Sequence, residues 1–450
     1  MRSRSWSKRH ADVRLKDSRL PVECMCNPAD SQTESSGDPL TARRSNAALV
    51  LALAAAGFVP ATAAWQAYDE PPRFTATELL GAGALKGAHY TIAQPVRTEQ
   101  FFHAFTIDST YGQFEALGRS ELAVRIHEIK ALTSLEDVSK TEVFLSAAGQ
   151  SVVNVGKGAV AAVKDPEATA KGIGSGIKRF GVNLGRRAER ATESSGNEAG
   201  ADEGSSAGRA ANSVLGVNSA VRRWAQKVGA DPYTTNAVLR KALEDVAKVD
   251  AAGSIATKVA VPIPGVVGMT SSVGNLVWGK DPEEVRKINE AGLRAIKVPD
   301  KVAKALFGNG WMTLTYQTRL VAALQAVNVA GVADYVETAS LVRSEREALF
   351  FVESAEMLQA AHAKRPVRRV LTDSRAMMAV SADGVGRALL PLDWIPWTAD
   401  VHKALMQIAQ RTKQELGATT LTIESQARAS ERAAIELPKL GWAFTTANKR

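Results

Sequence analysis

The hydrophobic positions of this chain change period several times, and each change marks an element. His89 to Val96 reads as a strand, Phe101 to Ile107 alternates toward a turn at Asp108-Ser109, and Tyr111 to Leu117 returns as its partner. Leu122, Ile126, Ile129 and Leu132 then recur at helical spacing, with Glu121 and Arg125 as an i, i+4 pair on a neighbouring face. Together these predict a small strand-helix unit over residues 74–140. From Gly156 to Gly185 the pattern dissolves into glycine, and Ala191 to Ala211 holds no large apolar side chain. The first stretch is expected to be a glycine-rich helical segment over 141–190, and the second a flexible linker that cannot offset its ordering entropy.

Helical punctuation dominates from there. Asp231-Pro232 predicts a cap for a helix through about Val249, and Asp281-Pro282-Glu283-Glu284 opens another whose Val285, Ile288, Gly292 and Ile296 face one way. Val259 to Gly279 carries no charge; two prolines and four glycines favour a buried loop and short helix over a membrane hairpin. This completes a helical region over 212–310. In 311–450 a helix spans about Met312 to Val327, and Ser344-Glu345-Arg346-Glu347 reads as a capping box before the stripe Ala348, Phe351, Ala355, Leu358. Strands follow at Val367–Asp373 and Ala376–Ser381, with Asp383-Gly384 turning into Val385–Leu392. Thr398 caps a helix to about Leu416, and a strand from Thr419, a helix from Ser430 and a strand near Trp442 close a carboxyl-terminal α+β module. The fold class expected is α+β, predominantly helical.

The amino-terminal region follows a different logic. Arg43-Arg44, an apolar run from Ala47 to Val59 and the small residues Ala61-Thr62-Ala63 are the three parts of a secretory signal over 43–63, with cleavage expected after Ala63. The run is too short for a permanent anchor, which is the rival reading. Residues 1–42 are a polar leader without apolar periodicity, read as a mis-assigned start, for example with initiation at Met25, or an unusually long leader. Arg43-Arg44 fits a twin-arginine motif poorly, because Ala42, Asn46 and Ala47 stand where that motif needs other residue types. The localisation expected is periplasmic or otherwise exported.

Charge and cysteine change this picture only slightly. Fifty-six Lys and Arg against 47 Asp and Glu give a net charge of +9, interspersed rather than clustered, so no nucleic-acid footprint is read. Both cysteines, Cys24 and Cys26, precede the expected cut. The mature chain is therefore cysteine-free, without disulfide, thiolate nucleophile or cysteine-ligated metal.

Candidate chemistry is sparse, and no catalytic, cofactor-binding or metal-ligating set is assigned. His127-Glu128 lacks the second histidine of a metalloprotease helix, because position 131 is Ala, and His127 reads as a solvated face. His103 shares a strand face with Phe101, Phe105 and Ile107 and reads as a core histidine. Gly172 and Gly176 have small-xxx-small spacing beside Lys178, Arg179 and Phe180, which suits contact with a membrane surface or envelope protein; the alternative is a plain connector. Trp394-Ile395-Pro396-Trp397 either lines a groove or seals a core edge, and Trp394 and Trp397 join the contact candidates.

Lys86-Gly87-Ala88-His89-Tyr90, the run from Phe105 to Leu122, Arg125 to Ile129, and Gly229 to Asn236 with Val238-Leu239 resemble segments of uncharacterised exported proteins of Gram-negative bacteria, over about Phe74 to Gly253. The resemblance implies a periplasmic setting and carries over no site residue. The function expected is an exported, non-catalytic cell-envelope protein contacting membrane or a protein partner. The alternatives are a periplasmic hydrolase using Asp393, Asp400 or His402, and a helical assembly scaffold.

Overall fold

The alternation between Phe101 and Leu117 becomes the central hairpin of an antiparallel sheet in the computed structural model, which describes residues 68–144, 206–253, 268–373 and 375–446. Strands β5 (Phe102–Ser109) and β6 (Gly112–Leu117) pair in the register Ser109 opposite Gly112 and Ala104 opposite Leu117. The strand expected over 89–96 is two: β3 (Tyr90–Ile92) and β4 (Pro95–Glu99) pair successive halves of the other edge of β5. β1 (Arg73–Thr75) flanks β4, and β2 (Lys86–Gly87) flanks β3. Between them, the short helix α1 (Ala76–Leu80) starts at a full capping box made by Thr75 and Glu78.

Helix α2 (Arg119–Ser139) lays Leu122, Ile129, Leu132 and Leu135 on this sheet. Its core is shared with α3 (Ser206–Val228) and α4 (Ala237–Gly253), through Trp224, Leu239 and Leu243. Two expectations change here. Helix α3 begins inside the segment read as a linker over 191–211, because a stretch without large side chains but rich in alanine still favours helix. The residues on either side of that segment bury one common core rather than two. Helix α4 starts at Ala237, capped by Asn236, whose Oδ1 accepts from the N–H groups of Val238 and Leu239 at 3.0 and 3.3 Å. Asp231, the expected cap, folds into the turn before it.

The uncharged stretch contributes α5 (Ser271–Gly279), capped by Thr270 and buried at Val273 and Val277. Among the described residues no helix is long and apolar enough to cross a membrane. Next come α6 (Pro282–Ala295), α7 (Asp300–Gly308), α8 (Leu314–Val327), α9 (Val332–Ala339) and α10 (Glu345–Lys364). Ile288, expected on the apolar face of α6, is 36% exposed.

The carboxyl-terminal module follows its punctuation closely. A meander of β7 (Val367–Asp373), β8 (Ala376–Ser381) and β9 (Val385–Leu390) continues through α11 (Ala399–Leu416), β11 (Thr420–Ser425), α12 (Glu431–Lys439) and β13 (Trp442–Thr446). The sheet order is β7-β8-β9-β11-β13, antiparallel across β7-β8-β9 and parallel beyond. Two-residue strands β10 (Trp394–Ile395) and β12 (Arg428–Ala429) pair in parallel at one end. Every residue of β8 is buried, as a central strand covered on both faces requires. Met377 and Ala379 pack toward α8 and α10, while Met378 and Val380 pack toward α11 and α12. The whole is α+β with helices predominating, and the described residues belong to one compact unit.

Candidate binding cleft

A cleft of about 680 Å³ opens where the carboxyl-terminal module meets the turn between β4 and β5. Its apolar lining includes Phe101, Phe102, Phe350, Leu390, Leu405 and Ile408. The turn is held in place by its backbone: the Phe101 carbonyl accepts from the N–H groups of Asp393 and Trp394 at 3.1 and 3.0 Å. Gln100, at φ 56, occupies the left-handed region that reverses the chain there. A strap of Asp69, Glu70, Pro71 and Pro72 also lines the cleft. Asp69 donates its N–H to the Trp397 carbonyl at 2.8 Å, and its Oδ2 accepts from the Trp397 N–H at 2.6 Å.

The charged groups divide by side. At the first turn of α10, Arg346 is only 4% exposed; it lies 4.8 Å from the centre of the Phe102 ring and pairs with Glu353 at 2.6 Å. Arg375 pairs with Glu347 at 2.5 Å. Asp69, Glu70 and Asp400 line the cleft from the strap and the first turn of α11. Behind Arg346 the fit is close. A Cβ at Gly118, where φ is 96, would stand 3.2 Å from both the Arg346 guanidinium and the Phe102 ring, so glycine answers to backbone and space together.

The residues singled out in the sequence fall around this cleft unevenly. Trp394 and Trp397 flank Ile395 and Pro396, which line it; Trp397 is buried in the core beside it, and Trp394 is half-buried. Trp394 meets Phe74 edge-on at 5.2 Å, and Trp397 stacks on His402 at 5.0 Å. Gly172, Gly176, Lys178, Arg179 and Phe180 lie outside the described residues. Of the hydrolase candidates only Asp400 lines the cleft; His402 stacks on Trp397, and Asp393 is consumed by structure.

Asp393 caps a helix that is not its own. Gly118 offers α2 no side chain, and the Asp393 carboxylate instead accepts from the Arg119 N–H at 3.2 Å and the His103 N–H at 3.1 Å. Burial raises the Asp393 pKa against the pull of these bonds. Asp393→Ala should therefore cost about 1–2 kcal/mol, the price of a lost cap with buried donors left unpaired. Urea unfolding measures it, and a midpoint equal to the wild type would show that the cap contributes nothing. His103 is buried in the core as expected, but its Nε2 has no hydrogen-bond partner. Burial, then Arg119 and Arg428, lowers its pKa to about 4, and Nδ1 lies 3.0 Å from the Thr98 hydroxyl.

A second concentration of polar groups lies under α2. Glu121 and Arg125 are buried rather than a surface pair, because the start of α10 covers them: Arg125 bonds Glu128 at 2.8 Å, Glu121 at 3.2 Å and Glu345. Burial opposes the Arg125 charge, but Glu128, Glu345 and Glu121 outweigh it and hold its pKa above the ordinary value. Glu345 also accepts from Tyr316 at 2.8 Å and Thr235 at 2.5 Å, and Glu128 from Asn236 at 2.9 Å and Thr234. His127, expected in solvent, is half-buried with a ring nitrogen 2.5 Å from the Gly229 carbonyl. It borders a cavity of about 40 Å³ with Glu128, Asp231, Thr315, Tyr316 and Arg319. The Asp231 Oδ1 accepts from Thr315 at 2.6 Å and from the Tyr233 N–H at 2.9 Å, and burial pushes its pKa up to about 6. No cluster of three or more His, Cys, Asp or Glu that could hold a metal ion occurs among the described residues.

No family model, curated protein or solved structure matches this chain.

Proposed function

We propose that this is an exported, non-catalytic protein of the cell envelope that holds an apolar ligand in the cleft between α10, α11 and the β4–β5 turn. The observation carrying this reading is the cleft itself: a preformed concavity of about 680 Å³, walled by aromatic and aliphatic side chains with its charged groups few and mostly paired. The size suits a drug-sized or single-chain lipid-like molecule. Export and the periplasmic setting rest on the signal over 43–63 and on the resemblance to exported proteins. Contact of Lys178, Arg179 and Phe180 with a membrane surface or envelope protein rests on sequence.

The test is a fluorescence titration with N-phenyl-1-naphthylamine, an uncharged apolar probe. Saturable binding is expected, lost in Ala404→Trp and weakened in Val401→Phe, since both positions line the cleft from α11. Circular dichroism should show both variants folded. Absence of saturable binding, or binding unchanged in both folded variants, would remove the reading.

A further inference from the structure

We infer that the ligand of this cleft is a single-chain amphiphile with a cationic head, its tail between α10 and α11 and its head against Asp69 and Asp400. The inference rests on the binding reading above and adds the sign of the head group.

The argument is one of charge already engaged and charge left over. On the α10 side both cations are used: Arg346 by Glu353 and the Phe102 ring, Arg375 by Glu347. Each guanidinium is thus already paired with a carboxylate, and the Arg346 Nε, a donor without a partner, is buried away from solvent. On the strap side the balance is reversed. Asp400 has no ion-pair partner among the described residues, and Asp69 has only Arg432, at 4.0 Å, besides its bonds with the Trp397 backbone. Glu70 also lines the cleft but has a partner of its own, so the charge left over is that of Asp69 and Asp400. The positive end of α11, which could otherwise attract an anion, is already complemented by Asp400 in its first turn. An anionic head entering here meets like charge, whereas an ammonium meets carboxylates. The apolar lining beyond, with Phe350, Leu405 and Ile408, accepts an alkyl chain whatever the head.

Isothermal titration calorimetry with decyltrimethylammonium, decanol and decanoate separates the contributions, because all three share one tail length. Each is used below its micelle concentration, on the full chain, at pH 7.5 and low salt. Partly exposed charge pairs of this kind are each worth roughly a threefold change in affinity. The ammonium should therefore bind about tenfold more tightly than the alcohol, and decanoate more weakly than either. Asp400→Asn should lower ammonium affinity about threefold and leave decanol unchanged, and 0.5 M salt should shrink the ammonium preference. Equal affinities, decanoate as the tightest ligand, or an Asp400→Asn variant that shifts decanol as much as the ammonium would each overturn the head-group inference while leaving the cleft a binding site. No binding of any of the three, while N-phenyl-1-naphthylamine still binds and is not displaced, would overturn the amphiphile inference alone; absence of saturable N-phenyl-1-naphthylamine binding as well would overturn the binding reading beneath it.

Discussion

Replacing Arg125 with methionine is expected to lower the unfolding free energy by about 3–5 kcal/mol, the usual cost of removing one partner from a buried ionic cluster. The side chain is 11% exposed and is the cation that Glu121, Glu128 and Glu345 share. Methionine fills similar space, so the loss is electrostatic rather than a cavity. Three carboxylates would remain under α10 with their hydrogen-bond donors but without their counter-charge. Arg125→Lys should recover only a minor part, since a compact ammonium cannot address three carboxylates from one position as a guanidinium fork does. Glu345→Gln in the Arg125→Met background should recover more, by removing one of the stranded charges while keeping an amide oxygen for Tyr316 to donate to and an amide N–H that the Thr235 hydroxyl can accept. Urea unfolding of the four proteins reads the series. A methionine variant within about 1 kcal/mol of wild type would mean that the cluster is not held by Arg125.

Asp231→Asn should act in the opposite direction and stabilise the protein at neutral pH. Its folded pKa of about 6 lies above the ordinary 3.8, so the folded state binds this proton more tightly than the unfolded state does. Above pH 6 the ionised, buried carboxylate therefore costs stability, by about 3 kcal/mol for a shift of that size. The cost fades as the pH falls from about 6 toward 4, where both states become protonated. Both observed hydrogen bonds end on Oδ1, which asparagine supplies equally well. The difference between variant and wild type should thus be near its full value at pH 7.5 and small at pH 4. Comparing the two proteins cancels the opposing contribution of His103, whose lowered pKa costs stability as the pH falls from 6.5 toward 4. Equal stability at pH 7.5, or a difference that grows on acidification, would refute this account.

Legibility in the sequence divides along the same line as these two predictions. The carboxyl-terminal module is legible because its signals are local: Asp383-Gly384 turns β8 into β9, Thr398 caps α11 and Ser430 caps α12, each within a few residues of the element it starts. The Arg125 cluster is not legible, since Glu121 and Arg125 have the spacing of any surface pair and Glu345 joins them from 220 residues away. Asp231-Pro232 misleads for a related reason. A capping signal can be taken over by a tertiary partner, here Thr315, while Asn236 caps the helix instead. The cleft leaves one hint only, the cluster from Trp394 to Trp397, because its other walls come from a strap, a turn and two helices that no periodicity connects.

The Asp393 cap also dictates an order of events during synthesis. The first amide of α2 waits for a carboxylate 274 residues downstream, and the strap at Asp69 waits for Trp397, 328 residues away. At about 5–20 residues per second that interval is tens of seconds, during which the closing bonds of the amino-terminal sheet have no partner to form with. Contacts of such long range also slow folding once the chain is complete. A nascent chain or truncation ending before Asp393 thus exposes the Phe101 carbonyl and the start of α2 to water, and has no cleft to fill.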